Sequence, residues 1–200
     1  MPKVVEKALR RSEFVAASVA VIAREGLSAA TLRRIAAEAG CTTGAITHYY
    51  SGREALLIDL LRSVHYAAAA RMLEVARTAP SDAARLERVL LESLPLDPER
   101  MREWKVWLAF WGAAPGEAEL AAENARRYEE WRGAMETLLT PFCADVDQTR
   151  REASLLVALI DGFGVRLTLL PDAYGRLGEE QNKIVSELHN YLETIVKQKR

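Results

Sequence analysis

Apolar residues recur at three- and four-residue spacing along almost the whole chain, and no stretch sustains the two-residue alternation of a half-buried strand. In the first segment Leu9, Val15, Val19 and Ile22 fall on one helical stripe. Gly, Pro and capping residues cut the pattern into pieces. The spacing predicts a helix over 7–25 that stops at Gly26, a short one over 31–39 closed by Gly40, and another over 43–49. A long helix is expected over 53–78, with Ser51 and Glu54 at capping-box spacing. Ser81-Asp82 and Asp97-Pro98 open the next two, the second with Asp as N-cap and Pro at the first helical position. Gly112 to Gly116 breaks that helix, and further helices follow over 117–139, 149–170 and 178–196. The fold class is therefore all-α, about nine helices joined by short loops, with no internal repeat and no long linker.

Composition narrows the function classes. Half of the 200 residues are hydrophobic and 28% are charged, too apolar for a disordered chain. The net charge of −1 gives no bulk sign of a polyanion partner, but the charge is uneven. Residues 1–50 carry seven basic against four acidic side chains, and the remainder 20 against 24, a small basic head on an acidic body. Cys41 and Cys143 have no paired spacing, which excludes a disulfide scaffold and a zinc ribbon and suits a reducing cytoplasm. No apolar run approaches the ~18 residues of a membrane span. The start imitates a secretory signal, with Lys3, Lys7, Arg10 and Arg11 ahead of an apolar run. That run is interrupted by Ser18 and ends at Arg24-Glu25 rather than at small residues, so it reads as the first helix. His48, His65 and His189 are scattered, and no HExxH, GxSxG, P-loop or GxGxxG is present. No catalytic residue, metal or cofactor is expected.

The stretch 31–50 carries the most information. Ile35, Ala36, Ala39 and Ile46 are small or aliphatic where two crossed helices must touch, and Gly40 occupies the turn, where a positive φ suits it. Thr42 can cap the next helix with its hydroxyl. That helix presents Thr42, Thr43, Ala45, Thr47, His48 and Tyr49, groups able to approach base edges, phosphates or a thymine methyl in a major groove. Arg33, Arg34 and Arg53 flank the pair. A short helical corner packed only for structural reasons would share the spacing.

Gly26, Thr31, Ile35-Ala36, Ala39-Gly40, Thr42-Thr43-Gly44, Ile46, Tyr49-Tyr50, Arg53 and Leu56 together resemble the DNA-binding domain of the tetracycline-repressor (TetR) family over about residues 8–68. Cys41 replaces the usual Val, and Arg53 the usual Lys, which keeps the charge and changes its geometry. The resemblance implies an N-terminal three-helix, helix-turn-helix DNA-binding domain over 1–52, extending to about 68, and a ligand-binding and dimerisation domain over 53–200. It implies that Thr31, Arg33, Thr42, Thr43, Gly44, Ala45, Thr47, His48, Tyr49 and Arg53 face operator double-stranded DNA.

Two later segments bear on a ligand. Trp104, Trp107 and Trp111 share a helical face, with Val106 and Phe110 pointing the other way, and Tyr128 and Trp131 form a second aromatic pair. With Tyr66 on the long helix, these rings are candidates to line an apolar pocket or to cage a quaternary ammonium, at ~0.5–2 kcal/mol per ring. Plain core packing of large aromatics is the alternative. Asp161 is an ionisable residue in an apolar run and needs a partner, either within the protein or on a cationic ligand. Gly162 and Gly164 suit close backbone approach. The last two helices are expected to form the homodimer seam as a four-helix bundle, through Leu155, Leu159, Gly162, Phe163 and Leu167 on one and Ile184, Leu188 and Leu192 on the other. Trp-Leu-Ala-Phe-Trp, Ala-Leu-Ile-Asp-Gly and Thr47-His48-Tyr49-Tyr50 resemble the choline-responsive, BetI-type branch of the family, which implies a choline-like effector.

The expected function is a ligand-responsive transcriptional regulator, a repressor, bound as a homodimer to a near-palindromic operator whose half-sites lie about 34–36 Å apart. The effector, expected between the long helix and the tryptophan helix, tilts the long helix, and a preference of ~1–3 kcal/mol for the altered state lowers operator affinity several-fold to about a hundredfold. The alternative is a helical enzyme or small-molecule carrier with an incidental helix pair. Salt-dependent DNA binding separates the two.

Overall fold

A computed structural model of the chain describes residues 2–170 and 176–197. Among the described residues it has nine α-helices, three short 3-10 turns and no strand. The helices are α1 (Pro2–Glu25), α2 (Leu32–Glu38), α3 (Thr43–Thr47), α4 (Arg53–Arg77), α5 (Asp82–Ser93), α6 (Pro98–Ala113), α7 (Ala118–Leu139), α8 (Val146–Leu169) and α9 (Leu177–Lys197). The all-α class and the helix count follow the sequence pattern. Several helix starts differ from it, most at α1, which begins at Pro2 rather than at 7. α8 begins three residues early because the Asp145 carboxylate caps it, accepting from the Gln148 amide at 2.7 Å. α4 begins at Arg53 as expected, with the Leu56 amide bonded to the Gly52 carbonyl at 3.3 Å.

Local caps explain where several helices begin. Thr31, Thr42 and Ser81 accept from the amides of Arg34, Ala45 and Ala84 at 3.1, 3.3 and 3.2 Å. Asp97 accepts from the Arg100 amide at 2.8 Å. Each cap is worth about 1 kcal/mol. Gly40 takes φ 64°, the left-handed turn expected between α2 and α3.

The chain divides into two compact units, Met1–Ala67 with Lys105–Asn124, and Ala68–Trp104 with Ala125–Arg200. The first is built around a continuous apolar interior. Phe14, Val21 and Ile22 of α1, Ile35 and Ala36 of α2, and Ile46 of α3 meet Leu56, Leu57, Leu60 and Leu61 of α4. Val106 and Phe110 of α6 and Leu120 of α7 join the same cluster. Burial of each large side chain contributes about 1.5–3 kcal/mol before entropy is counted. In the same unit Arg62 forks onto the buried Glu123, at 3.0 and 2.8 Å.

In the second unit α9 packs on α5 and α8. Leu86, Val89 and Leu90 of α5, Leu156, Ile160 and Leu167 of α8, and Ile184, Leu188, Leu192 and Ile195 of α9 are buried. Leu167, Ile184, Leu188 and Leu192, read as seam residues, are buried within the chain itself, where α9 packs on α5 and α8. Leu155 and Gly162 are exposed, and Leu159 and Phe163 are half-buried. A polar clamp joins α5 to α4 and α6. Arg71 of α4 reaches Glu103 of α6 at 2.8 and 2.6 Å and Glu92 of α5 at 2.9 Å. No helix among the described residues is long and apolar enough to cross a membrane.

Candidate nucleic-acid interface and effector residues

The recognition helix is short, and one residue anchors it. Ile46 is completely buried, under α2 and against the Leu cluster of α4. A five-residue helix with one side pinned must turn the remainder outward. Thr42, Thr43, Gly44, Thr47 and His48 are exposed, and Ala45 is half-buried. Thr47 Oγ1 donates to the Gly44 carbonyl at 3.1 Å. Tyr49 is half-buried, its ring edge-on to Phe14 at 5.5 Å and to His48 at 5.3 Å. It therefore supports His48 from behind as much as it presents its own edge. Thr31 and Arg33 are exposed at the start of α2, and the Thr31 hydroxyl oxygen caps that helix.

Arg53, read as facing DNA, is half-buried. Its guanidinium turns toward the protein, where Nε donates to the Ala30 carbonyl and Nη2 to the Leu27 carbonyl, both at 2.9 Å.

Two further networks frame this interface. Arg24 and Arg34 share Glu25 and Glu38, with N···O separations of 2.7 to 3.0 Å. The hydrogen bonds from Arg34 and Arg24 hold the Glu25 carboxyl down at about 2. Arg34 is thus tied to acidic neighbours, while Arg33 points outward. Behind α3, the Tyr50 hydroxyl donates to Asp59 at 2.6 Å, and Arg11 donates to the same oxygen while lying over the Tyr50 ring at 5.1 Å. Burial, then Asp59, pushes the Tyr50 hydroxyl up, so it stays a donor. Pairs 9 and 48 residues apart leave no mark in a helical period, so the sequence pattern missed this network.

The residues read as ligand contacts fall in both units. In the first, Tyr66 is exposed, Trp111 is half-buried, and Trp107 packs edge-on against His65 at 6.3 Å. In the second, Trp104 is buried, and its Nε1 donates to the Ser93 carbonyl at 2.8 Å. Its position is that of a packed aromatic with its polar edge satisfied. Trp131 and Tyr128 are half-buried.

Asp161 has the partner that its burial demands, and the partner is neutral: the Tyr128 hydroxyl donates to its Oδ2. Burial pushes the Asp161 carboxyl up, and the Tyr128 hydrogen bond acts against that rise. A half-buried carboxylate answered by a phenol rather than a cation can accept a positive charge at low cost in rearrangement. The groove between α5 and α9, about 440 Å³, has Leu86 and Leu192 in its lining, and none of the predicted ligand residues lines it. Among the described residues no group of three or more His, Cys, Asp or Glu is placed to hold a metal ion.

Comparison with known proteins agrees with this architecture along the chain. Residues 14–60 match the model for bacterial regulatory proteins of the tetR family, and residues 82–196 match the C-terminal domain of BetI-type transcriptional repressors. The HTH-type transcriptional regulator BetI of Vibrio campbellii is 30% identical over 199 residues, covering 96% of this chain and 95% of that protein. Among solved structures, a transcriptional regulator from Rhodococcus sp. Rha1 superposes with TM-score 0.76 at 27% identity, covering 88% of this chain and 94% of that one. A regulator from Saccharomonospora viridis, solved in complex with choline, superposes with TM-score 0.81 at 22% identity, covering 93% and 96%, a likeness of fold.

Proposed function

This chain belongs to the TetR family of transcriptional regulators, with a BetI-type C-terminal domain, and on that premise we propose that it is a homodimeric, cytoplasmic repressor of a near-palindromic operator, released by a small cationic effector of the quaternary ammonium class. The observation that carries the reading is the outward face of α3. Thr43, Thr47 and His48 are exposed on a helix whose only fully buried side chain is Ile46. Short polar groups on a rigidly seated helix suit a major groove, and Arg33 supplies charge toward the backbone of the duplex. The DNA-binding domain is 1–52, extending to about 68, and the remainder binds effector and partner.

Dimerisation uses the part of α8 that the protomer leaves open. Leu155 is 59% exposed and Leu169 68% exposed, and with Ala158, Leu159 and Gly162 they make an apolar strip on one side of the helix. A two-fold partner covers such a strip with its own copy. The effector's positive charge is answered by Asp161, and aromatic rings including Tyr128 and Trp131 surround its methyl groups. The signal reaches the head through α4, which is unbroken from Arg53 to Arg77. The chain carries out no catalysis in this role.

The test is direct. The full-length protein is incubated with a randomised duplex pool and the bound fraction amplified and sequenced. Enrichment of an inverted repeat, released by choline but not by its uncharged isostere 3,3-dimethylbutanol, is the expected result. Failure to enrich any duplex overturns the regulator reading, and equal release by both compounds overturns the cationic effector.

A further inference from the structure

We propose that Arg53 is a positioning residue which fixes the helix-turn-helix to the start of α4, and that it does not serve as a phosphate ligand. The inference rests on the reading of α3 as the helix that reads DNA. Three observations carry it. Two of the guanidinium's three nitrogens, Nε and Nη2, donate to two different main-chain oxygens, those of Ala30 and Leu27, at 2.9 Å each. Ala30 is fully buried, so its carbonyl needs a donor from within the protein, and Arg53 provides one. The Leu27 carbonyl already accepts from the Ala30 amide at 3.1 Å, so the guanidinium closes the 3-10 turn Leu27–Ala29 from outside.

The consequence lies one residue further on. Thr31 follows Ala30 directly and is the N-cap of α2. α2 packs on α3, and the Cys41 amide returns to the Ala36 carbonyl at 2.9 Å. A clamp on residues 27 and 30 therefore fixes where α2 begins, and through α2 where Thr43, Thr47 and His48 stand relative to the head of α4. The planar fork reaches the two carbonyls from two nitrogens held at a fixed spacing, whereas a lysine has to reach both from a single nitrogen. Retaining the charge is not sufficient, and Arg53→Lys is a disruptive change at this site.

The proposal is tested on the full-length chain with two duplexes, one enriched by the unaltered protein from a random pool and one of scrambled sequence and equal length. Affinities are measured across a series of salt concentrations for Arg53→Lys and Arg53→Gln. A positioning role predicts that both variants lose about tenfold in preference for the enriched over the scrambled duplex, the size expected when two hydrogen bonds are lost. It predicts an unchanged salt dependence and faster amide hydrogen exchange over residues 27–31 in the free protein. A phosphate ligand predicts instead that Lys restores wild-type affinity. It also predicts that Gln weakens both duplexes alike and lowers the slope of log affinity against log salt by about 0.9 for each phosphate no longer neutralised. That pattern overturns the proposal. So does a lowered melting temperature with the duplex preference intact, which assigns the clamp to stability alone. A wild-type chain that enriches no duplex overturns both this inference and the regulator reading, whereas wild-type behaviour of Arg53→Lys on an enriched duplex overturns this inference only.

Discussion

The indole of Trp104 lies on the backbone of α8 at Gly164, so close that a Cβ at that position would fall inside the ring. The contact fixes the spacing of α6 and α8 within the second unit, one turn from Asp161. It also decides the sign of a substitution that helix propensity alone gets wrong. Gly164→Ala should gain about 1 kcal/mol from propensity. Overpacking against the ring costs about 1–3 kcal/mol, and the ring is pinned by its hydrogen bond to Ser93, so it cannot swing away. The expected outcome in denaturant unfolding is net destabilisation of up to about 2 kcal/mol, offset in part when Trp104 is shortened to Leu in the same chain.

Leu155 and Leu188 separate the surface of the protomer from its interior. Leu155→Glu, at a side chain 59% exposed, should leave the helical circular dichroism and the melting of the protomer nearly unchanged while shifting sedimentation from dimer to monomer. Leu188→Glu places a charge in a fully buried site and should prevent folding. A Leu155 variant that remains dimeric at micromolar concentration would place the seam elsewhere.

On the recognition helix, Thr47→Ala and His48→Ala each remove an exposed polar group without touching Ile46. Operator affinity should fall by about 1–3 kcal/mol for a group that reads a base edge, with the dimer and the melting temperature unchanged. Gel-shift titration against the enriched duplex measures it. Tyr49→Ala is different in kind: it takes away the ring that contacts Phe14 and His48, so it should cost stability as well as affinity.

Asp161 makes stability depend on pH. Burial raises its carboxyl above the ordinary value of 3.8, so the folded chain holds a proton that the unfolded chain has already released. Stability from this group is present below 3.8 and declines as pH rises from there through the raised value. Asp161→Asn still accepts from Tyr128 and should remove that decline, which urea unfolding across the acidic range measures. The same substitution should abolish discrimination between choline and its uncharged isostere. Tyr128→Phe should leave the carboxylate without its donor and push its carboxyl further up, visible as a decline extending to higher pH.

The fold class and the helix-turn-helix were legible in the order of residues alone. Both are written in local terms: a three- to four-residue apolar period, Gly40 where the backbone must turn left-handed, and Thr31 and Thr42 where helices need an acceptor for their first amides. Such signals act within a few residues, so they survive in one dimension. Pairs far apart in the chain were settled by packing. The α9 stripe was legible as apolar, but an apolar stripe does not say whether it meets the same chain or another copy, and here α5 and α8 cover it. Arg53 was legible as a charge at the head of a helix, but whether that charge points outward or back to carbonyls 23 and 26 residues earlier is fixed only when the turn is folded beside it. Asp161 was legible as a carboxylate in need of a partner; that the partner is a phenol 33 residues away is set by how α7 and α8 align. Periodicity records which side of a helix avoids water, and only the packed chain settles what each side meets.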